Sequence, residues 1–353
     1  MQQLYMTADK FCLDGKPETI VPYGNGHISR TYLVTTVSDR KYILQRIADI
    51  FEPEGLMRNI SLVTQYLARY AEDSRSYMHI VPTKDGKTWL ADPAGNYRVY
   101  EFVEDAFCLE EPRSPEDFYQ SGLAFGRFMN ILRDFPAEQL TETLVNFHHT
   151  PDRYRIFREI LEQDPLGRAE RVKPEIDFIL SREKKAGILQ EMKGSGKLPT
   201  RVTHNDTKLN NVMFDNNTGK ALCLIDLDTV MPGLAAWDFG DAVRFGAVTA
   251  AEDETDLSRM KLDLVMYRAF AGGYLQDSEL KAEEIRSLPW GGWTMTLENG
   301  LRFLTDYLDG DHYFHIDRES HNLDRCRTQL KIVSEMEEHF DDLQRIVEEE
   351  AQH

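Results

Sequence analysis

The chain has 353 residues, 41% hydrophobic and 29% charged, which is length enough for two regions with their own cores and an ordinary balance for a globular protein. Its 41 Lys and Arg against 60 Asp and Glu leave a net charge of −19, which disfavours nucleic acid and anionic membrane as partners and suits a neutral or cationic small molecule. Cys12, Cys108, Cys223 and Cys326 form no metal-ligand pattern, the first residues show no basic-then-apolar leader, and no run approaches the ~18 apolar residues of a membrane helix, so a cytoplasmic protein is expected.

Residues 22–34 carry Gly24-Asn25-Gly26 between short extended segments, a loop whose backbone N–H groups can lie on phosphates. Residues 32–36 and 42–44 read as two strands turned at Ser38-Asp39-Arg40. The second should carry the cation that orients nucleotide phosphates. It has no Lys, so Arg46 is the candidate, with Gln45 as the alternative one register step away. Residues 53–70 then form a helix with Leu56, Ile60, Val63 and Leu67 on one face.

Short strands from Val81, at Trp89-Leu90 and over 97–103 complete a small antiparallel sheet around an Asp85-Gly86-Lys87 turn. The last leads into Glu104-Asp105, which makes 101–104 the hinge. It divides an N-terminal nucleotide-binding lobe, 1–104, from a C-terminal catalytic and substrate-binding lobe, 105–353. Adenine is expected against the backbone of Glu101 and Val103.

From Ser114-Pro115-Glu116-Asp117, a helix N-terminal signature, the pattern turns helical. Helices are expected near 115–132, 151–162, 170–192, 255–275 and 281–308, with one long acidic amphipathic helix over 320–350. His148-His149 has no partner at metal spacing and reads as structural.

The densest chemistry lies in 202–229. Asp206 sits in a loop, Asn211 follows five residues later, and Asp226 closes the apolar run Leu222 to Ile225. Asn216-Asn217-Thr218-Gly219 reads as a hairpin turn that returns the chain, because Asn and Gly tolerate positive φ. Two carboxylates and an amide oxygen in this order suit Mg²⁺ shared with nucleotide phosphates, with one Asp accepting the proton of an attacking hydroxyl. ATP and Mg²⁺ are therefore the expected cofactors. The literal Asp238-Phe239-Gly240 follows Ala235-Ala236-Trp237 rather than a strand and is not expected to be the metal aspartate. Asp238 or Asp241 is expected to brace the catalytic loop instead.

His204-x-Asp206-x-x-x-x-Asn211 with Ile225-Asp226 resembles the aminoglycoside phosphotransferase and choline kinase superfamily. Longer stretches, among them residues 203–215, 227–233 and 300–308, resemble its N-acetylhexosamine 1-kinase branch. The resemblance implies an α+β, protein-kinase-like bilobal fold, with a small N-lobe containing an antiparallel sheet and a larger, mainly helical C-lobe. It implies ATP-dependent phosphorylation of the anomeric hydroxyl of N-acetylglucosamine or N-acetylgalactosamine, with Asp206 as base and Asn211 and Asp226 on Mg²⁺. Asp228, Trp237, Arg302 and Tyr313 are the candidate sugar-binding residues. The partner is then a small sugar, the chain a monomer or weak homo-oligomer. The alternatives are another small-molecule kinase of the superfamily, acting on another sugar, choline or an aminoglycoside, and an inactive kinase-like regulatory module.

Overall fold

The computed structural model describes residues 2–24, 30–276 and 278–352. The chain divides into two compact units. The first comprises Met1–Phe107, Asp134–Leu144 and Met213–Met231; the second comprises Cys108–Arg133, Val145–Val212 and Pro232–His353.

The first unit is built on a six-stranded antiparallel sheet. Its strands are β1 (Pro17–Pro22), β2 (Arg30–Thr36), β3 (Lys41–Arg46), β4 (Ile80–Val81), β5 (Leu90–Asp92) and β6 (Gly95–Glu101), in the order β1-β2-β3-β6-β4 with β5 also on β6. Asp39 takes the β2–β3 turn at φ +59°, a conformation that Asp tolerates better than most side chains. Phe11, Ile20, Val34, Leu44, Val81 and Val99 form the core. Central β6 is buried through Tyr97, Arg98, Val99 and Tyr100, on both faces, and Arg98 stands opposite Gln45 of β3.

The helix predicted over 53–70 runs Pro53–Leu67, started by Pro53 and by the Glu52 carboxylate, which accepts the N–H groups of Glu54 and Gly55. It buries Leu56, Ile60 and Val63 and also Asn59. The Asn59 amide donates to the carbonyls of Thr141 (2.7 Å) and Val230 (3.1 Å) and accepts the Thr141 N–H (2.8 Å). One buried amide thus fastens the two later segments of this unit to its helix.

Strands Val212–Asp215 and Ala221–Leu224 form the predicted hairpin, and Ala106–Cys108 adds to its edge. The Asp215 carboxylate accepts the N–H groups of Asn217 and Thr218, and Gly219 takes φ +68°, so the turn is made by the Asx and glycine chemistry read from the sequence.

The second unit is mainly helical. Ser114 caps helix Pro115–Ile131 through the Asp117 N–H. That helix meets Leu264–Gln276 so closely that a Cβ on Gly122 or Gly273 would strike the other helix's backbone, which is why both positions need glycine. The 28-residue helix Ala282–Asp309 is buried along most of its length.

Three helix expectations are corrected. The 170–192 stretch is three short helices, Lys173–Leu180, Glu183–Ala186 and Ile188–Gly194, with Gly187 (ψ 0°) between the last two. The helix predicted from 255 begins only at Leu264, because Val248 pairs with Leu262 and Asp263 caps the N–H groups of Val265 and Met266. The last helix breaks at His339 into His321–Glu338 and Phe340–Glu350.

Candidate active site

Strand Arg201–Thr203 delivers the chain into the loop that carries Asp206. Helix Ala235–Gly246, which contains the literal Asp238-Phe239-Gly240, holds that loop from beneath. The two Asp238 oxygens accept the N–H groups of His204 (2.8 Å) and Asn205 (2.7 Å), and the Thr207 hydroxyl donates to the Asp238 carbonyl (2.5 Å). Asp241 accepts the Thr207 N–H at 3.0 Å and is itself paired with Arg244 at 3.1 Å. Asn205 sits at φ +62°, and these donors offset the cost of that conformation. Burial pushes the Asp238 carboxyl up to about 7, although the two backbone donors pull the other way.

Asp206 is half-buried. Its Oδ1 lies 3.2 Å from the Lys208 ammonium, and its Oδ2 accepts from the Asn211 amide at 3.1 Å. The same Asn211 nitrogen also donates to the Asp206 carbonyl at 2.8 Å. Burial alone would raise this carboxyl, but Lys208, His204 and the Asn211 bond outweigh it and hold it below the usual aspartate range. In return Asp206, against burial, keeps the Lys208 ammonium protonated. Asp206 is therefore an ionised carboxylate with a fixed orientation, as a proton acceptor must be. With its nitrogen bonded to Asp206, Asn211 has its amide oxygen left as the donor a hard cation would take.

In the first unit Asp226 follows the hairpin at φ 58°, ψ 58°, before a 3₁₀ turn over Leu227–Thr229. Asp228, in that turn, forms a 2.5 Å ion pair with Arg98. The Arg98 Nε donates to Gln45 Oε1 at 3.1 Å, and the Gln45 amide donates to Thr31. Burial opposes the charge on Arg98, but Asp228, Tyr100 and Asp226 all favour it, and the guanidinium stays firmly protonated. Sequence reasoning passed over Arg98. The available signal was an arginine inside the apolar run Tyr97-Arg98-Val99-Tyr100, since a strand buried on both faces can hold a cation only beside an acid.

Arg46, at the end of β3, pairs with Asp49 (2.7 Å) and donates to the Ala94 carbonyl (3.2 Å). Gly24 takes φ +75°, and among the described residues nothing stands within 4 Å of where its Cβ would be, while Gly26 lies outside the described residues. Glu101 ends β6 and donates its N–H to the His79 carbonyl; Val103 follows two residues later.

Among the sugar-binding candidates of the second unit, Arg302 lies over the rings of Tyr313 (5.6 Å) and Phe314 (5.4 Å), with Nη2 at 3.4 Å from the Tyr313 hydroxyl. Trp237 is buried, and its indole N–H has no hydrogen-bond partner among the described residues. His148 stands between these groups. Its ring is 5.8 Å from that of Trp237 and its Nδ1 is 3.3 Å from Glu298, which lies one helical turn before Arg302. Its Nε2 is 3.2 Å from the Asn205 carbonyl, a structural role for His148 that joins this cluster to the Asp206 loop.

Among the described residues, no three His, Cys, Asp or Glu side chains are arranged to hold a metal ion by themselves, and no helix is long and apolar enough to cross a membrane. Residues 19–272 match the phosphotransferase enzyme family, APH. The chain is similar in fold to an aminoglycoside phosphotransferase from Alicyclobacillus acidocaldarius, at 15% identity and a TM-score of 0.68 over 98% of this chain and 96% of that one. It is also similar to a microcompartment-associated aminopropanol kinase (16% identity, TM-score 0.63, 97% and 98% covered). An amicoumacin kinase in complex with AMP-PNP, Ca²⁺ and Ami gives 17% identity and a TM-score of 0.62, with 94% and 92% covered. The antiparallel N-terminal sheet and mainly helical C-terminal region are those of the protein-kinase-like fold of these enzymes.

Proposed function

The chain belongs to the phosphotransferase enzyme family and is a small-molecule kinase, and we propose that within it the acceptor is the anomeric hydroxyl of an N-acetylhexosamine. Asp206 carries the phosphotransfer part of this reading. It is an ionised carboxylate, held in a braced loop with Asn211 fixed beside it, and can orient a hydroxyl and accept its proton. Asn211 and Asp226 are the proposed Mg²⁺ ligands. Their hard oxygen donors, too few to form a complete protein cage, suit an ion that shares its coordination with nucleotide phosphates. When bound, that ion would neutralise charge on the transferring phosphoryl group. Gly24, Gly26, Arg46, Glu101 and Val103 remain the proposed nucleotide contacts, and Arg98 is added as the cation that sets the position of Asp228.

The proposed reaction makes modest demands on the protein. The sugar oxygen bonds to the γ-phosphorus as the bond to the ADP oxygen breaks, and the hydroxyl proton passes to Asp206. In a loose phosphoryl-transfer transition state, positioning and charge neutralisation supply most of the rate. Arg302 offers hydrogen bonds for sugar hydroxyls and the acetamido group and Tyr313 an exposed ring for a sugar face, while the other two candidates, Asp228 on Arg98 and Trp237, are buried. The long stretches resembling the hexosamine branch support this choice of acceptor. A second reading, a cationic amino alcohol or aminoglycoside, draws on the net charge of −19 and on the similarity to an aminopropanol kinase.

ADP release would separate the two, measured with Mg-ATP across N-acetylglucosamine, N-acetylgalactosamine, glucose, galactose, their 1-O-methyl glycosides, choline and kanamycin. Turnover with the free N-acetylhexosamines, lost on 1-O-methylation, is expected. Turnover that survives methylation would move the phosphate to another hydroxyl. Activity only on choline or kanamycin would replace the sugar reading with the second one.

A further inference from the structure

The helical unit contains a cavity of about 390 Å³ between the start of helix Pro115–Ile131, the end of helix Ala235–Gly246 and helix His321–Glu338. This lies within the size range of small-molecule sites. Its wall is mixed. Met260, Met266 and Ile332 line it with apolar surface, and Gln329, Arg244 and Glu252 also face it.

The polar groups are not equivalent. Arg244 is already engaged, with Asp241 at 3.1 Å and Glu252 at 2.6 Å, and the lining Arg113 is paired with Asp117 at 3.2 Å. Gln329, by contrast, is 3% exposed, and its Oε1 has no hydrogen-bond partner among the described residues. A buried acceptor left without a donor is costly and rare. The lining carries three carboxylates, Glu111, Glu252 and Asp263, against two guanidiniums; Glu252 is the one on Arg244, and Asp263 accepts the N–H groups of Val265 and Met266. The cavity therefore combines apolar contact, an unused buried acceptor and an excess of negative charge.

We propose that this cavity is a binding site for a small amphipathic amine, whose apolar body lies against Met266 and Ile332 and whose ammonium N–H groups meet Gln329 and the acidic rim. The site is wired to the catalytic loop. Glu252 holds Arg244, Arg244 holds Asp241, and Asp241 accepts the N–H of Thr207, the residue after Asp206. An ammonium near Glu252 competes for the carboxylate that helps fix Arg244, and so alters the support under Thr207.

The test uses the full chain at neutral pH with three probes that share one body: phenethylamine, 2-phenylethanol and phenylacetate. Binding is read by calorimetry, and amide hydrogen exchange is followed over residues 204–208. The amine is expected to bind at least tenfold more tightly than either counterpart and to change exchange at the Thr207 amide. Met266→Trp, at a half-exposed position that fills the cavity, should abolish both effects, and Gln329→Leu should weaken amine binding several-fold. Equal binding of all three probes, no amine binding, or amine binding unaffected by Met266→Trp would overturn the site. Binding without altered exchange at 204–208 would overturn its link to the catalytic loop. None of these readouts depends on which acceptor the enzyme phosphorylates.

Discussion

Arg98 and Asp228 meet at 2.5 Å with side chains that are 1% and 8% exposed, so the ion pair is almost wholly removed from water. Such a pair contributes little net stability compared with a well-packed apolar pair, but removing one partner leaves an uncompensated buried charge, at about 3–5 kcal/mol. Arg98→Met and Asp228→Leu should each lose stability of that order in urea unfolding, while the double variant should lose clearly less than their sum. Additive losses would mean that the two charges do not support one another.

Lys208 sets the charge of the proposed base. Asp206 is held below the usual carboxylate range although burial acts against it, with Lys208 the largest opposing influence. A base with a depressed pKa is active above that pKa and fails as pH falls through it. Lys208→Met removes the main lowering influence, so the acid limb of kcat/KM should move to higher pH. Asp206→Asn should cut turnover by roughly 10²–10⁴, the range for a lost general base, while nucleotide binding is kept. An acid limb that stays in place in Lys208→Met would separate Lys208 from the protonation of the base.

Features written in short-range chemistry were legible from the sequence. Ser114-Pro115 announced a helix start, and Asn216-Asn217-Thr218-Gly219 announced the turn that the Asp215 carboxylate completes. A brace from Asp238 or Asp241 was also expected, but that both serve, three apart on one helix, shows only in the structure. What was not legible depends on distant partners. Arg98 has meaning only beside Gln45 across the sheet and Asp228, 130 positions away in sequence. The break at Gly187 falls on a poor helix former that the sequence did offer, whereas the break at His339 lies in a stretch without Gly or Pro, where local propensity alone does not mark a stop.

Asp238 links the Asp206 loop to pH. Its carboxyl is raised to about 7 in the fold, first by burial, against about 3.9 in an unfolded chain. Between those values the folded state binds more protons than the unfolded one, so stability is greatest below pH ~4 and falls as pH rises toward 7, by up to about 1.4 kcal/mol per pH unit for this one group. Asp238→Asn, which cannot ionise, should remove that contribution. Urea titrations from pH 4 to pH 8 should therefore give a difference between wild type and variant that changes with pH below 7 and levels off above it. A difference independent of pH would mean that Asp238 does not titrate in this window.

Asp306 organises the loop that carries Tyr313. Its Oδ1 accepts the N–H groups of His312 (2.9 Å) and Tyr313 (2.8 Å), and its Oδ2 accepts those of Phe314 (2.9 Å) and the Asn322 amide (2.9 Å). Three successive backbone donors on one buried carboxylate fix where the Tyr313 and Phe314 rings stand, and the Arg302 guanidinium lies over both. On the proposed assignment this surface receives the acceptor sugar and not the nucleotide. Arg302→Ala should then raise the KM for the acceptor more than that for ATP. Asp306→Ala should do the same without removing any group that touches the sugar, since it releases the loop, and it should also lower stability by about 1–3 kcal/mol for the donors left unpaired. Steady-state kinetics with each substrate varied in turn reads both effects. Equal rises in the two KM values would take Arg302 and the Tyr313 loop out of acceptor binding, and a rise in Arg302→Ala alone would show that the loop holds its shape without Asp306.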